Sequence, residues 1–485
     1  MSIENLEPKP VFKFFSEISA IPRASKNERE ISDYLLAFAE SHGLWAHRDE
    51  HFNVIIRKPA SAGYENVPTV ILQSHTDMVC EKNNGVVHDF EKDGLKLVID
   101  GEYLRADGTT LGADNGAGVA YSLALLDDNT LAHPPIEALF TADEEVGMTG
   151  VQQLDHTLLT GRRLINLDSG EEGIFFISCA GGMTVRVRLP VEYADIPDDH
   201  NAYTLSVSSL IGGHSGVDVH KEQGNANRIL SRILCSLDKF DFYIAGISGG
   251  AKDNAIPREA EAVILIKSSD CAEAVDFIVN LSKDIKAELS LTDPAASISI
   301  APLKRQPSKV YTKEASRKIA LMGSLLPIGV QRMCKLEGFE GLVESSANIG
   351  VVIPSDNEVE FRCSLRSSVA SRKHEMARQT ALVAEVLGAN AEIAGEYPAW
   401  ELDPDSWLQR FFQEQYEAFT CQKAEMAAIH AGLECGWFAE HLDKPDMISL
   451  GPNMYGVHSP TERLEIKSTA RVWEFLKFAL ANMKE

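Results

Sequence analysis

The chain has 485 residues, a hydrophobic fraction of 44%, a charged fraction of 24% and a formal net charge of −25. Such a length exceeds one ordinary core and implies two or three units, while the composition excludes disordered and fibrous classes. The acidic balance repels phosphate backbones and anionic lipid headgroups, which argues against nucleic acid and membrane surfaces as partners.

In chain order, residues 27–43 place Ile31, Tyr34, Leu35 and Phe38 at helical spacing and end on Gly43, so a helix is expected there. Strands are expected at 53–58, 69–73, 136–142 and 163–168, with an apolar-faced helix at 116–128. This alternation predicts an α/β domain with a mixed, largely parallel sheet flanked by helices. From about Val185 the texture changes to longer alternating strands and charged helices near 272–289 and 371–388. Residues 186–398 are therefore expected to form an inserted α+β domain, with 1–185 and 399–485 making one discontinuous α/β domain. One strand-helix-strand set at 203–267 precedes another at 311–366, which suggests two similar lobes. The eight cysteines are scattered, with no CxxC spacing, and read as reduced thiols. The N-terminal stretch has no basic start followed by an apolar core, and no run approaches the roughly 20 apolar residues of a membrane helix. A cytoplasmic location is expected.

Several segments share one design: an acid or histidine within a few residues of the end of an apolar strand. These are His75 and Asp77, Glu144 and Glu145, Asp168, and His458, while Asp114 lies just before an apolar helix. The carboxyl ends of strands in open α/β sheets are where ligand sites assemble. A convergent set of two histidines and several carboxylates is too negative to bury without neutralisation, and two divalent cations resolve the conflict. Imidazole and carboxylate ligands suit zinc, with cobalt or manganese also accommodated. The count fits Asp114 as a bridge, His75 with Asp168 on one ion, and Glu145 with His458 on the other. Asp77 would then orient the His75 ring, and Glu144 would take the proton from the attacking water and return it to the leaving amine. Cys80 is not needed. Each piece alone has an ordinary reading: HxD is often a surface turn, DEE a solvated acidic loop, and GADNG a helix start with an acidic cap.

The motifs HTD, GADNG, DEEVG, NLDSGEEG and GVHSP, in that order, resemble those of the co-catalytic zinc exopeptidase family that includes carnosinases, carboxypeptidases and aminoacylases. The resemblance runs along nearly the whole chain. It implies two metal ions per subunit on His75, Asp114, Glu145, Asp168 and His458, with Asp77 in support and Glu144 as base. It also implies that 1–185 and 399–485 are a catalytic domain interrupted by a lid domain at 186–398, a cis peptide between Asp114 and Asn115, and a homodimer formed through the lid domain. Within IGGHSG it marks His214 as the donor to the oxyanion, although the three glycines around it would also suit a plain turn. It marks Asn254 and Arg366 as substrate contacts, with Arg258 and Arg362 as nearby competitors for a substrate carboxylate. Where other members carry a glycine- and serine-rich loop, this chain has IHAGLECGWF, so His430 and Glu434 are further candidates for substrate selection, with helix-borne core or surface roles as the alternative. That departure favours the branch that cuts dipeptides, Xaa-His and carnosine-like ones included. The rivals are a deacylase acting on N-acyl amino acids, a non-catalytic metal-containing binding protein, and a dinuclear phosphoesterase.

Overall fold

A computed structural model of the chain describes residues 3–335, 338, 339 and 341–484; the outer limits expected for the first domain, Met1 and Glu485, lie outside them. The chain divides into two units, one of residues up to Ser178 with Leu402–Ala428 and Glu434 onward, the other of Cys179–Glu401 with Ile429–Leu433. The boundary expected after residue 185 falls inside the strand Gly181–Pro190, which belongs wholly to the second unit. Its alternating burial begins at Met183, two residues before the visible change in texture, and Gly181 and Gly182 ahead of it carry no side chain to announce the strand.

The first unit is built on an eight-stranded sheet. In spatial order its strands are Trp45–Arg48, Val54–Lys58, Ile136–Thr141, Val70–His75, Arg163–Asn166, Asp446–Ser449, Ile174–Cys179 and Glu425–Ile429. The Ile136–Thr141, Val70–His75, Arg163–Asn166 and Asp446–Ser449 strands run parallel, and antiparallel strands flank them. Every residue of Val70–His75 and of Ile136–Thr141 is buried, as expected for parallel strands covered on both faces. The helix Ala113–Asp127 packs on Val70–His75 and is buried along almost its full length. Its period is therefore masked, since a helix apolar all round shows little amphipathic contrast. The expected strand at 69–73 extends to His75, so that histidine sits on the strand itself.

The second unit holds a nine-stranded antiparallel sheet. One lobe comprises Gly181–Pro190, the helix Lys313–Leu325, Val343–Pro354, Glu358–Ser367, the helix Ala370–Val386 and Asn390–Tyr397. The other repeats that order as His200–Ser208, the helix Ala226–Cys235, Phe242–Gly249, Ala260–Lys267, the helix Cys271–Glu288 and Ser297–Pro302. Within each lobe the strands take the spatial order fourth, first, third, second, and the two second strands meet edge to edge at Gly249 and Val352. The two similar lobes are thus present but nested: the repeat at 200–302 interrupts the other lobe between its first strand and first helix. One contiguous core of Val, Ile, Leu and Phe side chains, from Met183 to Leu387, fills the unit.

Candidate metal centre

The seven acid and histidine residues picked out in the sequence all belong to the first unit, and the sheet brings them together. His75 ends its strand 1% exposed. Its Nε2 lies 3.1 Å from Asp114 Oδ1 and 3.5 Å from Asp168 Oδ1. His458 Nε2 lies 3.3 Å from Asp114 Oδ2 and 3.0 Å from Glu145 Oε2. Asp114 therefore stands between the two histidines, one oxygen toward each, with Asp168 on one side and Glu145 on the other. Ligand atoms of His75, Asp114 and Glu145 all lie within 4.8 Å of one another.

Local backbone explains the convergence. Gly112, at φ +64°, turns the chain into the Ala113–Asp127 helix, and a Cβ there would meet Arg23 Nη2 at 2.4 Å. The peptide between Asp114 and Asn115 is cis, as the resemblance implies. Asn115 Nδ2 donates to Leu167 O at 2.7 Å and to Asp168 Oδ1 at 2.9 Å, tying the helix start to the end of the Arg163–Asn166 strand. Asp77, fully buried, lies with Oδ1 3.4 Å from His75 Nδ1. Its carboxylate also accepts from Ser25 Oγ at 2.7 Å and from the backbone N–H groups of Glu144 and Glu145 at 3.0 and 3.2 Å. Asp77 thereby anchors the acidic turn as well as the ring. It also stands with Glu28 and Asp143 in a second buried group of acids.

The electrostatics are those of a site with too much negative charge. Burial opposes a charge on His75, but Asp168, Asp114 and Asp77 overcome it and hold its pKa well above the ordinary value. Hydrogen bonds to Asp114 and Glu145 push His458 up to about 10. Burial, partly offset by His75, raises Asp168 to about 6. Burial also raises Glu144 well above the usual range; His75 pulls it down, and Asp168, Glu434 and Glu145 add to the rise. Glu145 Oε1 is enclosed and has no hydrogen-bond partner among the described residues. An orphaned carboxylate oxygen beside two histidines and two further acids fits divalent cations, which would supply the missing positive charge.

Three supporting residues escaped the sequence reading. Glu462, 2% exposed, accepts from the backbone N–H groups of Leu111, Gly112, Ala113 and Asp114, at 2.7, 2.9, 2.8 and 3.3 Å. Arg23, also 2% exposed, donates to the carbonyls of Thr76, Asp77 and Gly112, and so clamps the loops carrying Asp77 and Asp114 to each other. Gln73 lies beneath His75. The first two act across hundreds or tens of residues, and no local pattern distinguishes them from solvated surface charges. Glu434, expected to meet substrate, is fully buried; it accepts from Gln73 Nε2 and Thr141 Oγ1 and offers no face to a ligand outside the core. His430 lies outside any helix, and Glu434 directly precedes the helix Cys435–His441, so neither is helix-borne.

The other substrate candidates lie in the second unit. His214 Nδ1 accepts from the backbone N–H groups of Gly216 and Val217 at 3.2 and 3.0 Å. Burial and Arg366 hold its pKa below the ordinary value, and its Nε2 lies 3.5 Å from Arg366 Nη2. Arg366, 7% exposed, donates to Tyr397 Oη at 2.5 Å, and its enclosed Nε is unpartnered. No carboxylate among the described residues pairs with it. The competing arginines are occupied, Arg362 by Glu360 and Arg258 by the carbonyl of Leu210. His430 Nε2 shares a hydrogen bond with Ser346 Oγ at 2.7 Å, and its buried Nδ1 is free. Asn254 is exposed, with its carbonyl accepting from Ser215 N.

This arrangement of acids and histidines at parallel strand ends defines a class. Residues 71–482 match the model of peptidase family M20/M25/M40, and the chain belongs to that family. It is 37% identical over 476 residues to cytosol non-specific dipeptidase of Escherichia coli (strain K12), covering 98% of this chain and 97% of that one. The crystal structure of aminoacylhistidine dipeptidase from Vibrio alginolyticus superposes with a TM-score of 0.93 at 36% identity, covering 99% of this chain and 98% of that one. An aminopeptidase from Bacillus cereus shares the fold at a TM-score of 0.57 and 16% identity, over 99% of this chain and 100% of that one. Among the described residues no helix is long and apolar enough to cross a membrane.

Proposed function

We propose that the chain is a cytoplasmic metallo-dipeptidase, acting on Xaa-His dipeptides and carnosine-like substrates, that assembles as a homodimer through its second unit. The observation that carries this reading is Asp114 standing between His75 and His458 with Glu144 beside the ligand Glu145. The similarity to two dipeptidases over almost the whole chain supports the substrate class, and free cysteines throughout the described residues suit a reducing compartment. His75 and Asp168 would hold one ion, His458 and Glu145 the other, and Asp114 both, with zinc the best match to the ligands. When bound, the pair of cations supplies Lewis-acid polarisation of the scissile carbonyl and acidifies the attacking water.

The remaining work falls to side chains. Asp77 fixes the His75 ring through Nδ1, so that Nε2 faces the acids. Glu144 would act as a carboxylate to take the proton from water and, now protonated, deliver it to the departing amine; its burial, which raises its pKa, favours holding that proton between the two transfers. His214, whose Nδ1 is taken up by two backbone N–H groups, is the candidate donor to the oxyanion through Nε2. Arg366, free of any acid partner, matches the terminal carboxylate of a short peptide, and Asn254 and His430 are further substrate contacts. The test is an assay of the purified protein, stripped of metal and then reloaded separately with zinc, cobalt or manganese, against Xaa-His dipeptides, other dipeptides, tripeptides, N-acetyl amino acids and phosphoesters. Metal-dependent cleavage of dipeptides is expected. Preference for N-acetyl amino acids would make it a deacylase, and no turnover with any loaded form would leave only a binding protein.

A further inference from the structure

A buried chain of polar side chains runs beneath the metal ligands. Gln73 and Asn166 stand two residues before His75 and Asp168, on neighbouring parallel strands whose register pairs them directly. Gln73 and His75 lie two apart on one strand and share a face, while Asn166 ends its strand and Asp168 follows two residues beyond it, so the pair forms the last layer before the two ligands proposed for one ion. Asn166 Nδ2 donates to Gln73 Oε1 at 2.5 Å, and Ser449 Oγ donates to Asn166 Oδ1 at 2.5 Å. On the other side Gln73 Nε2 donates to Thr141 Oγ1 at 3.1 Å and to Glu434 Oε2 at 2.5 Å, while Thr141 Oγ1 donates to Glu434 Oε2 at 2.7 Å. All five residues have 0% exposure. The ladder therefore crosses four adjacent strands, from Asp446–Ser449 to Ile136–Thr141, and terminates on Glu434.

Such a ladder is costly for stability alone. Buried polar groups pay desolvation, and apolar side chains of similar volume commonly serve a sheet interior as well or better. Glu434 Oε1 is moreover enclosed without a partner, so the carboxyl is not fully compensated. What the ladder does supply is a fixed lateral spacing between Gln73 and Asn166, and hence between the ligands two residues above them. Support of this kind is worth roughly 10–100-fold in metal affinity where a second layer orients ligands directly. Asp114, Glu145 and His458 have no member of the ladder below them; Glu462 and Asp77 secure the Asp114 loop and the Glu145 turn instead.

We propose that Glu434 is a positioning residue: by closing the ladder through Gln73 to Asn166 it fixes the spacing of His75 and Asp168, and selectively strengthens the ion they hold over the ion at His458 and Glu145. This rests on the two-ion reading given above. Burial, with His75 pulling the other way, pushes Glu434 up to about 7, so glutamine is a near match in shape and charge around neutrality, whereas leucine removes the acceptor.

Zinc content by mass spectrometry across buffered free-zinc concentrations, and the visible spectrum of the cobalt-loaded protein, test it. The wild type should take two ions; fewer would overturn the two-ion reading and this inference with it. In a His458→Ala background, Glu434→Leu should weaken the remaining ion at least tenfold and alter the cobalt spectrum, and Glu434→Gln should restore most of both. In a His75→Ala background, Glu434→Leu should leave the remaining ion within about twofold. Equal weakening in both backgrounds, or none in either, overturns the proposal while the two-ion reading stands. If Glu434→Leu does not fold, Gln73→Met cuts the same ladder with a side chain of similar length and must show the same asymmetry.

Discussion

Histidines in the two units are tuned in opposite directions. In the first unit acids surround them: His75 sits well above its ordinary pKa and His458 at about 10. In the second, burial and Arg366 lower His214, and burial with Arg366 and His214 takes His430 down to about 3. The residue type is the same, and the neighbours decide. A cluster that would protonate its histidines is short of positive charge and is satisfied by metal cations. A cluster of neutral rings and an arginine lacking an acid is short of negative charge and is satisfied by a carboxylate or an oxyanion. The two regions thus favour opposite partners, cations in one and anions in the other.

The first region is tested hardest by removing its base. Glu144→Gln keeps the size of the side chain and the backbone N–H bond to Asp77, but leaves no group to carry a proton. A loss of about 10³-fold in kcat is expected from the usual worth of a positioned acid–base group, with zinc content unchanged by mass spectrometry. Retention of more than a tenth of wild-type turnover would sink the assignment.

The opposite pole responds differently. Arg366→Lys keeps the charge and loses the fork that matches a carboxylate and holds Tyr397. If Arg366 binds the terminal carboxylate equally in ground and transition states, KM for dipeptides should rise about 10–100-fold while kcat changes little. Dipeptide amides, which lack that carboxylate, should show no such difference between wild type and variant. An equal penalty on the amides would remove Arg366 from substrate recognition.

The contrast also marks what could be read from the sequence. The residues proposed as metal ligands are legible because each lies beside the end of a locally apolar strand or the start of an apolar helix: His75 after residues 70–74, Asp168 after 163–166, Asp114 before the buried helix. Their chemistry and their position are both local facts. Glu462 and Arg23 are not local: Glu462 grips a loop some 350 positions earlier, and Arg23 spans 53 to 89 positions. A buried charge of that kind has the same sequence as a solvated one until the fold supplies its partners. Glu434 was noticed but given the wrong surroundings, since only the parallel register places Gln73 and Thr141 on its carboxylate. The repeat in the second unit was visible as two strand-helix-strand sets. Its nesting was not, because the first strand of one lobe, Gly181–Pro190, lies ahead of the entire other lobe.

Glu462 offers a smaller effect within the first region. Glu462→Gln replaces one carboxylate oxygen by an NH₂ that faces backbone N–H donors instead of accepting from them. Leaving buried donors unsatisfied costs about 1–3 kcal/mol, so the metal-free Tm should fall by several degrees. Zinc affinity should fall as the Asp114 loop loosens. An unchanged Tm and affinity would show that the four N–H groups find other acceptors and that Glu462 does not set the Asp114 position.

The smallest effect concerns His430 and appears only as a pH dependence. Its ring is faced by Arg366 and His214 and bonded to Ser346. The folded ring refuses a proton until about pH 3, whereas the unfolded ring takes one up near its ordinary 6.5. Between those values the unfolded state binds more protons, so this contribution is intact above about pH 6.5 and is lost as pH falls toward 3. The slope from one such group is at most about 1.4 kcal/mol per pH unit. His430→Gln has nothing to protonate and can keep a bond to Ser346. Denaturant unfolding of the metal-free protein should find the variant slightly less stable at pH 7, with the gap closing or reversing by pH 5. Parallel stability curves for wild type and variant across that window would mean that folding leaves the ring's pKa at its ordinary value, and that burial beside Arg366 does not hold it neutral.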